Sequence, residues 1–363
     1  VGDIDVDEVE KKVKKIFKSI KKAKKPAKRE YYPVADNKEM IFSQQVDKEQ
    51  QNYLLQLMYK HDVAPREQRN TKQYIYDNTK RSFAMSMLNS RFSDIMTKEN
   101  PPYLRAGVGY NGFGVAQTKE AFVVMVQCKA EQIMEAIPMV FTEVERARRY
   151  GFTQSELDRV KESFLARNEK WFAERDKRVS DYYVQNAIRH FLDEQSMMAP
   201  EVDYELTKEI VNRITLEEVN AVIPALHRED NRVAVSFAPE REGATYPGKN
   251  DIEMLLKMVG NARISAYEDN AVDAPLLAEI PAGGKVVKTE EGKWGSTVWT
   301  LSNGIKVIVK PTDFQADAIN LTGHKVGGTN RYPDSERVNI GMLSALSGIG
   351  GFGAFDATQL SKK

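Results

Sequence analysis

The chain has 363 residues, of which 41% are hydrophobic and 29% charged, and its formal net charge is +1 at pH 7. That composition is typical of a globular protein with a sizeable core, and the length is enough for about two or three domains. The near-neutral charge excludes a general electrostatic attraction to nucleic acids or membranes. A single cysteine, Cys128, excludes an intrachain disulfide and a thiolate zinc cluster, and its apolar neighbours predict a buried side chain.

Both ends of the sequence are expected to be cuts through a longer polypeptide. Val1 opens directly into a pattern typical of the end of a strand, and residues 361–363 follow closely on the start of a new element. No apolar run approaches the roughly 18 residues that a membrane span needs. A signal peptide is also absent, as we expect for a sequence that begins inside a longer chain.

The first 36 residues predict a helix followed by a basic linker. Asp5 and Glu8 have the spacing of a capping box, and an apolar stripe at helical spacing comprises Val6, Val9, Val13, Ile16, Phe17 and Ile20. Between Lys11 and Arg29 there are 11 basic residues. One interpretation is a site for phosphate backbones, and the other is a solvated helix face that continues into a flexible linker. Because Phe17 is the one aromatic residue of this tract, it lacks the interleaved stacking platforms of a nucleic-acid site, so we favour the linker and predict no nucleic-acid partner.

Residues 37–240 predict a single α+β domain. Hydrophobic periodicity indicates strands at 40–46, 51–59, 103–109, 120–128 and 232–237, and helices from about 71 to before Pro101, at 130–149, from 153, at 201–214 and from 215. Most strands come first, helices follow, and one strand closes the region. This order favours two-layer domains in which a mainly antiparallel sheet packs against helices.

The remaining residues predict a linker and the beginning of another domain. Residues 241–295 are polar and rich in proline and glycine, with one short helix near 252–259. The segment from Ser296 to Lys310 predicts a hairpin, because Asn303-Gly304 is a favoured two-residue turn. A strand at 318–326 and a helix from about Ser335 are predicted after it.

Three parts of the sequence carry a family resemblance through their order and spacing. They are the opening from Val1 to Phe17, the middle motifs Leu88-Asn-Ser-Arg91 and 150–161, and the stretch from Leu301 to Leu360. In this order they resemble the pitrilysin/insulinase-type zinc peptidases, the inverted zincins. The resemblance implies the end of a first, catalytic-type domain and a basic linker at 1–36, a second, non-catalytic domain at 37–240, an inter-half linker at 241–295, and the start of a degenerate third domain at 296–363.

The resemblance also implies that the zinc site lies outside this sequence. In an active domain of the family, the helix after the opening hairpin carries His-x-x-Glu-His, which holds the metal and supplies the general base. Here the corresponding residues are Met342, Ala345 and Leu346, which can neither bind zinc nor activate water. The family's zinc ligands would lie before Val1. We therefore predict no catalytic and no metal-binding residue in this chain, with zinc bound elsewhere in the parent protein.

Two residues of the second domain are predicted to face the substrate. Second domains of the family often carry an arginine about seven residues before a tyrosine near the scissile region. Arg105 precedes Tyr110 by only five residues, and Met96 stands near the place where the arginine is expected. For Arg105 and Tyr110, the alternative to facing the substrate is an ordinary role at the surface or in a turn. The four histidines, His61, His190, His227 and His324, include no pair four residues apart and predict no metal site.

The sequence thus predicts a fragment of a zinc-dependent metalloendopeptidase that supplies a chamber wall and a substrate-positioning framework. The parent would hydrolyse peptides, and its other domains would be partners of this chain. A periplasmic or otherwise extracytoplasmic location is implied by the resemblance alone. The alternatives are a catalytically inactive scaffold of the same family and a binder of nucleic acid or anionic surfaces that uses the lysine tract.

Overall fold

The computed structural model describes residues 4–27, 30–98, 100–269, 274–314 and 318–362. The chain divides into two compact units. The first unit comprises Val1–Glu169 and Lys177–Asp269, and the second comprises Lys170–Asp176 and Asn270–Lys363. None of the helices in these described ranges is long and apolar enough to cross a membrane.

The first 269 residues contain nine α-helices and five strands within the described ranges. In chain order they are α1 (Val6–Phe17), β1 (Ile41–Asp47), β2 (Tyr53–Asp62), α2 (Lys72–Met96), β3 (Arg105–Gly112), β4 (Lys119–Cys128), α3 (Ile133–Tyr150), α4 (Gln154–Ala173), α5 (Ser180–Asp193), α6 (Pro200–Arg213), α7 (Leu216–Asn220), α8 (Val222–Leu226), β5 (Arg232–Pro239) and α9 (Lys249–Asn261).

The five strands form one sheet in the order β1-β5-β2-β4-β3. β1 runs parallel to β5, and every other pair in the sheet is antiparallel. Along β2, Tyr53, Leu55, Leu57 and Tyr59 are buried while the residues between them are half-buried, because successive strand residues point to opposite faces. The buried residues belong to the same core as apolar residues of α2 and α3, which confirms the predicted α+β layers.

Local capping signals in the sequence correctly mark several helix starts. The side chain of Asp5 accepts a hydrogen bond from the backbone of Glu8 at 2.8 Å, and Thr71 does the same for Tyr74 at 3.2 Å. Thr215 and Glu218 form a reciprocal capping box before α7. The predicted apolar stripe of α1 is present, but no residue of that helix is buried. Its apolar face is therefore exposed in this chain.

A segment after α9 is bound along the surface of the first unit, and we call residues 262–269 the strap. The hydroxyl of Tyr150 donates a hydrogen bond to the carbonyl of Ile264 at 2.8 Å, and Arg159 forms an ion pair with Asp269 at 2.7 Å. The short helix predicted near 252–259 is present as α9, and its buried residues are Ile252, Leu255 and Val259. Both elements lie in the region whose composition predicts a linker.

The second unit contains, in its described part, a small sheet that is followed by two α-helices. Strands β6 (Val286–Glu291), β7 (Thr297–Leu301) and β8 (Lys306–Val309) form an antiparallel sheet in that order. The predicted hairpin is present between β7 and β8, where Gly304 has a φ of 84°, a value that favours glycine. Helices α10 (Arg337–Gly350) and α11 (Ala357–Lys362) follow. The strand predicted at 318–326 is wrong, because those residues form neither helix nor strand.

Candidate functional site

Metal-binding chemistry is not available among the described residues. Over ranges 4–27, 30–98, 100–269, 274–314 and 318–362, no three His, Cys, Asp or Glu side chains are placed to hold a metal ion. On α10, Met342 and Leu346 are four residues apart and therefore share one face. Their exposed fractions are 55% and 54%. An apolar pair on this face does not fit a zinc ion, whose protein ligands are thiolate, imidazole or carboxylate.

Arg105 and Tyr110 lie on the same edge strand but on opposite faces of the sheet. They are the first and sixth residues of β3, and an odd separation along a strand reverses the side-chain direction. Arg105 pairs with Gln127 of β4, and Tyr110 pairs with Phe122. The structure therefore does not bring the two predicted substrate-facing residues together. Whether either one contacts a substrate stays a prediction.

Tyr110 lies on the helix-covered face, in a small polar pocket of about 340 Å³. The guanidinium of Arg81 on α2 is 4.6 Å from the centre of the Tyr110 ring, a cation–π arrangement, and the ring of His61 is 5.9 Å away. Burial, and then the nearby carboxylate of Glu120, raise the pKa of Tyr110 well above its usual value. The phenol is therefore neutral near pH 7 and can donate a hydrogen bond, but it is not a base.

Arg105 is exposed on the opposite face of the sheet. Gln127 of β4 pairs with Arg105 and therefore lies on the same face. Phe237 of β5 also lies there, because Leu54 of β2 pairs with both Gln127 and Phe237. Phe237 is 38% exposed, and Ile41 of β1, on the same face through its pairing with Val233, is 50% exposed. An exposed guanidinium beside half-exposed amide and apolar groups is suited to contacting a polypeptide. It provides no nucleophile and no general base.

Two of the resemblance motifs meet in the interior as an ion pair. Arg91, from the motif at 88–91, is 1% exposed, and Glu156, from the stretch at 150–161, is 5% exposed. The guanidinium donates to both carboxylate oxygens at 2.7 and 2.8 Å, and also to the carbonyl of Gly151 at 3.0 Å. Glu156 in turn accepts from the backbone of Thr153 at 2.8 Å. These residues hold α2 against the start of α4 and have a structural role.

A second buried cation fixes the segment before β1 to the sheet. Lys119 of β4 is hydrogen-bonded to Asp36 at 2.7 Å and to Asp62 at 2.6 Å. Burial acts to lower the pKa of Lys119, but these two carboxylates outweigh it and raise the pKa above its usual value. The neighbouring Lys60 is 2% exposed and donates to the carbonyl of Ala35 at 2.6 Å. Burial, and then the charge of Lys119, lower the pKa of Lys60.

Sequence reasoning missed the residues around Tyr110 and the lysine cluster. Arg81 and Glu120 are 29 and 10 positions from Tyr110, so no local spacing relates the three residues. Their contact results from the pairing of β3 with β4 and the packing of α2 on that face. Only the charged Lys119-Glu120 at the start of an apolar strand is unusual enough to be noticed in the sequence.

The fold agrees with a family of inactive peptidase domains. Residues 1–164 match the family model described as the peptidase M16 inactive domain. Residues 1–164 therefore resemble an M16 inactive domain, and the chain is homologous to zinc proteases of the M16, pitrilysin type, which confirms the resemblance.

Among curated proteins, two zinc proteases are similar to this chain. It is 24% identical over 356 residues to a zinc protease PQQL-like of Arabidopsis thaliana, covering 97% of this chain and 34% of that protein. It is 21% identical over 372 residues to the probable zinc protease PqqL of Escherichia coli, covering 100% of this chain and 38% of that protein. The chain thus spans only about a third of the length of these relatives.

Solved structures of related proteases share the fold. The periplasmic protease PqqL of Escherichia coli matches with a TM-score of 0.65 and 20% identity, covering 99% of this chain and 39% of that one. A predicted insulinase family protease from Yersinia pestis matches with a TM-score of 0.60 and 18% identity over 71% of this chain and 54% of that one. The ferredoxin protease FusC, solved with Arabidopsis ferredoxin, has a TM-score of 0.57 and 15% identity over 85% of this chain and 34% of that one.

Proposed function

We propose that this chain is a non-catalytic part of a zinc-dependent metalloendopeptidase. Its role is to supply one wall of the substrate chamber and to position the peptide, while zinc is bound by residues outside this sequence. The observation that carries the proposal is the match to an inactive peptidase domain, together with Met342, Ala345 and Leu346 at the positions of the inverted zinc motif. Side chains of these three types cannot hold zinc or deprotonate its water.

Two unpartnered apolar faces support a role inside a longer polypeptide. On α1, Val6 is 73% exposed and Ile16 is 66% exposed; on α10, Val338 is 77% exposed. Apolar faces of amphipathic helices in folded proteins are normally covered, because burying apolar surface is the main stabilising contribution. The relatives' additional length is sufficient for further domains that cover both faces.

The substrate class follows from the relatives and from the face that carries Arg105. The relatives are proteases, and FusC was solved with a protein, ferredoxin. We propose peptides or proteins as substrates here, with the exposed guanidinium of Arg105 contacting backbone carbonyls or acidic side chains. The location we propose is extracytoplasmic, in line with PqqL of Escherichia coli, a periplasmic protease.

The test is peptide hydrolysis by the complete polypeptide that contains this chain. Arg105→Met is expected to raise KM for a peptide substrate severalfold and to leave kcat unchanged, because the residue binds substrate without touching the reacting bond. Lys48→Met, which removes an exposed cation from the turn after β1, is the matched control and should change neither constant. An unchanged KM in the Arg105 variant would remove Arg105 from the substrate-contacting wall.

The same experiment separates the proposal from an inactive scaffold. A complete polypeptide that binds one zinc ion and loses hydrolysis on chelation supports the peptidase. A complete polypeptide that holds no zinc and cleaves no peptide would instead establish a scaffold role for the whole protein.

A further inference from the structure

A cavity of about 850 Å³ lies in the first unit between α3, α9 and the neighbouring ends of β2 and β5. Its apolar wall includes Phe141 and Val144 from α3 and Leu256 and Val259 from α9. Tyr59 of β2, which is 2% exposed, lies against the imidazole of His227, with 5.3 Å between ring centres. The volume is in the range of sites that enclose small organic molecules. We call this space the α3–α9 cavity.

The lining of the α3–α9 cavity contains more cationic side chains than carboxylates. The cationic residues that line it are Lys38, Arg148, Arg232, Lys249 and Lys257. The carboxylates that line it are Glu39, Glu145, Glu229 and Glu253. The cations therefore exceed the carboxylates by one.

Two of these four carboxylates are closely paired with a cation of the cavity. Glu145 binds Arg148 at 2.6 Å, and Glu39 binds Lys249 at 3.2 Å. Glu229 is 86% exposed and only approaches Nη1 of Arg232, at 3.8 Å. Within the part of the chain that the structure describes, Lys38 and Lys257 have no ion-pair partner, and neither has Glu253.

One cation of the cavity wall, the guanidinium of Arg232, has no carboxylate close enough to neutralise it fully, since the nearest, Glu229, is 3.8 Å from Nη1. Its side chain is 19% exposed, whereas its Nε atom is closed to solvent, so a ligand in the cavity would meet the outer nitrogens of the guanidinium. Guanidinium groups pair best with carboxylate and phosphate oxygens.

His227 does not offset this preference for an anion. Burial, and then the nearby charge of Arg148, lower the pKa of its imidazole. Near pH 7 the ring is therefore neutral, and it can contribute a hydrogen bond without a charge.

We propose that the α3–α9 cavity binds a small organic anion. Its carboxylate or phosphate group accepts a hydrogen bond from the guanidinium of Arg232, and its apolar body packs against Phe141 and Leu256. This site lies on the helix-covered side of the sheet, whereas Arg105 lies on the other face. The proposal is therefore independent of the peptidase role of the chain.

Binding to the purified chain can be measured by calorimetry with three small aromatic probes that differ in their charged group. Phenylpropionate and phenyl phosphate carry the two acceptor groups, and phenylpropylamine carries a cation instead. We expect at least one of the two anions to bind with 1:1 stoichiometry and the amine to bind at least tenfold more weakly. Stronger binding by phenylpropionate identifies a carboxylate ligand, and stronger binding by phenyl phosphate identifies a phosphate ligand.

Variants of two neighbouring arginines locate the site. Arg232→Met should weaken binding of the preferred anion at least tenfold. Arg228→Met is the matched control, because Arg228 is paired with Asp230 at 2.8 Å and does not line the cavity; it should leave affinity unchanged. Leu256→Trp fills the cavity from α9 and should abolish binding even if the Arg232 variant fails to fold. Equal binding of the amine, no binding of either anion, or full affinity in the Leu256→Trp protein would each overturn the proposal.

Discussion

At the scale of single residues, two positions from the peptidase-like motifs stabilise the fold of this chain. Arg91 and Glu156 are 65 positions apart and meet as a buried, doubly hydrogen-bonded ion pair. The guanidinium also lies 4.0 Å from the centre of the Tyr267 ring, so it joins α2, α4 and the strap. A resemblance motif can therefore reflect packing and not catalysis.

Removing one member of this pair should strongly destabilise the first unit. We expect Arg91→Met to lower the free energy of unfolding by about 3 to 5 kcal/mol, because it leaves the Glu156 carboxylate buried without its partner. Urea denaturation followed by circular dichroism measures the change. Arg105→Met on an exposed strand position is the control, with an expected change within about 0.5 kcal/mol. Equal stability of the two variants would argue against a structural role for the pair.

The stability of the chain should rise with pH between about 5.5 and 7.5 partly because of His227. Burial, and then Arg148, depress its pKa in the folded state below the usual 6.5. In this window the unfolded state binds more protons than the folded state, so acid favours unfolding. His227→Gln should reduce the difference in unfolding free energy between pH 7.5 and pH 5.5. His190→Gln, at an exposed position on α5, should not; a wild-type pH dependence in the His227 variant would contradict the assignment.

Residue-level predictions from the sequence succeeded where the interaction is local. The N-caps at Asp5 and Thr215 are readable because the partner lies three residues away. The environments of Tyr110 and Lys119 were not readable, since their partners come from other strands and helices. The same limit applies to Arg105 and Tyr110, whose opposite orientations become clear only from the register of β3.

At the scale of elements, pairing with a neighbouring strand determines whether two segments of the second unit form strands, and the sequence pattern predicts neither correctly. Residues 318–326 are apolar enough to suggest a strand, but Ile319 is 96% exposed and Leu321 is 91% exposed. A strand requires a neighbour that supplies hydrogen bonds, and the described sheet of the second unit consists of β6, β7 and β8. β6 was not predicted because Val-Val-Lys-Thr-Glu-Glu reads as polar linker, yet pairing with β7 makes it a strand.

The edge strand β3 shows how the fold protects an exposed sheet edge. The amide of Asn89 on α2 donates to the carbonyl of Val108 at 3.0 Å and accepts from its N–H at 2.8 Å. One side chain thus occupies both backbone groups that a further strand would use. Asn89 belongs to the motif at 88–91, so this motif serves both the sheet edge and the ion pair.

The strap should resist proteolysis even though its composition is that of a linker. We expect a protease of broad specificity to cut first within residues 274–284, which form neither helix nor strand, and only later within 262–269. Tyr267→Ala should make the strap susceptible, because it removes the ring on which Arg91 stacks. Mass spectrometry of early fragments provides the readout. First cuts inside the wild-type strap would show that these contacts do not hold it.

At the scale of the whole molecule, the α+β architecture and the family were predictable, because hydrophobic periodicity and motif order extend over most of the chain. The domain boundaries stay a prediction. They place the linker at 241–295, whereas the first compact unit extends to Asp269 and includes α9 and the strap. Composition alone did not reveal these contacts, since three of the groups that hold the strap, Tyr150, Arg159 and Arg91, come from earlier parts of the chain.

The predicted lack of a hydrolytic centre in this chain is tested directly by metal analysis of the purified chain combined with a peptide-cleavage assay. We predict less than stoichiometric zinc after dialysis and no cleavage of unstructured peptides, with or without added zinc. One tightly held zinc ion per chain, together with cleavage that a chelator abolishes and added zinc restores, would show that the chain does contain a hydrolytic centre.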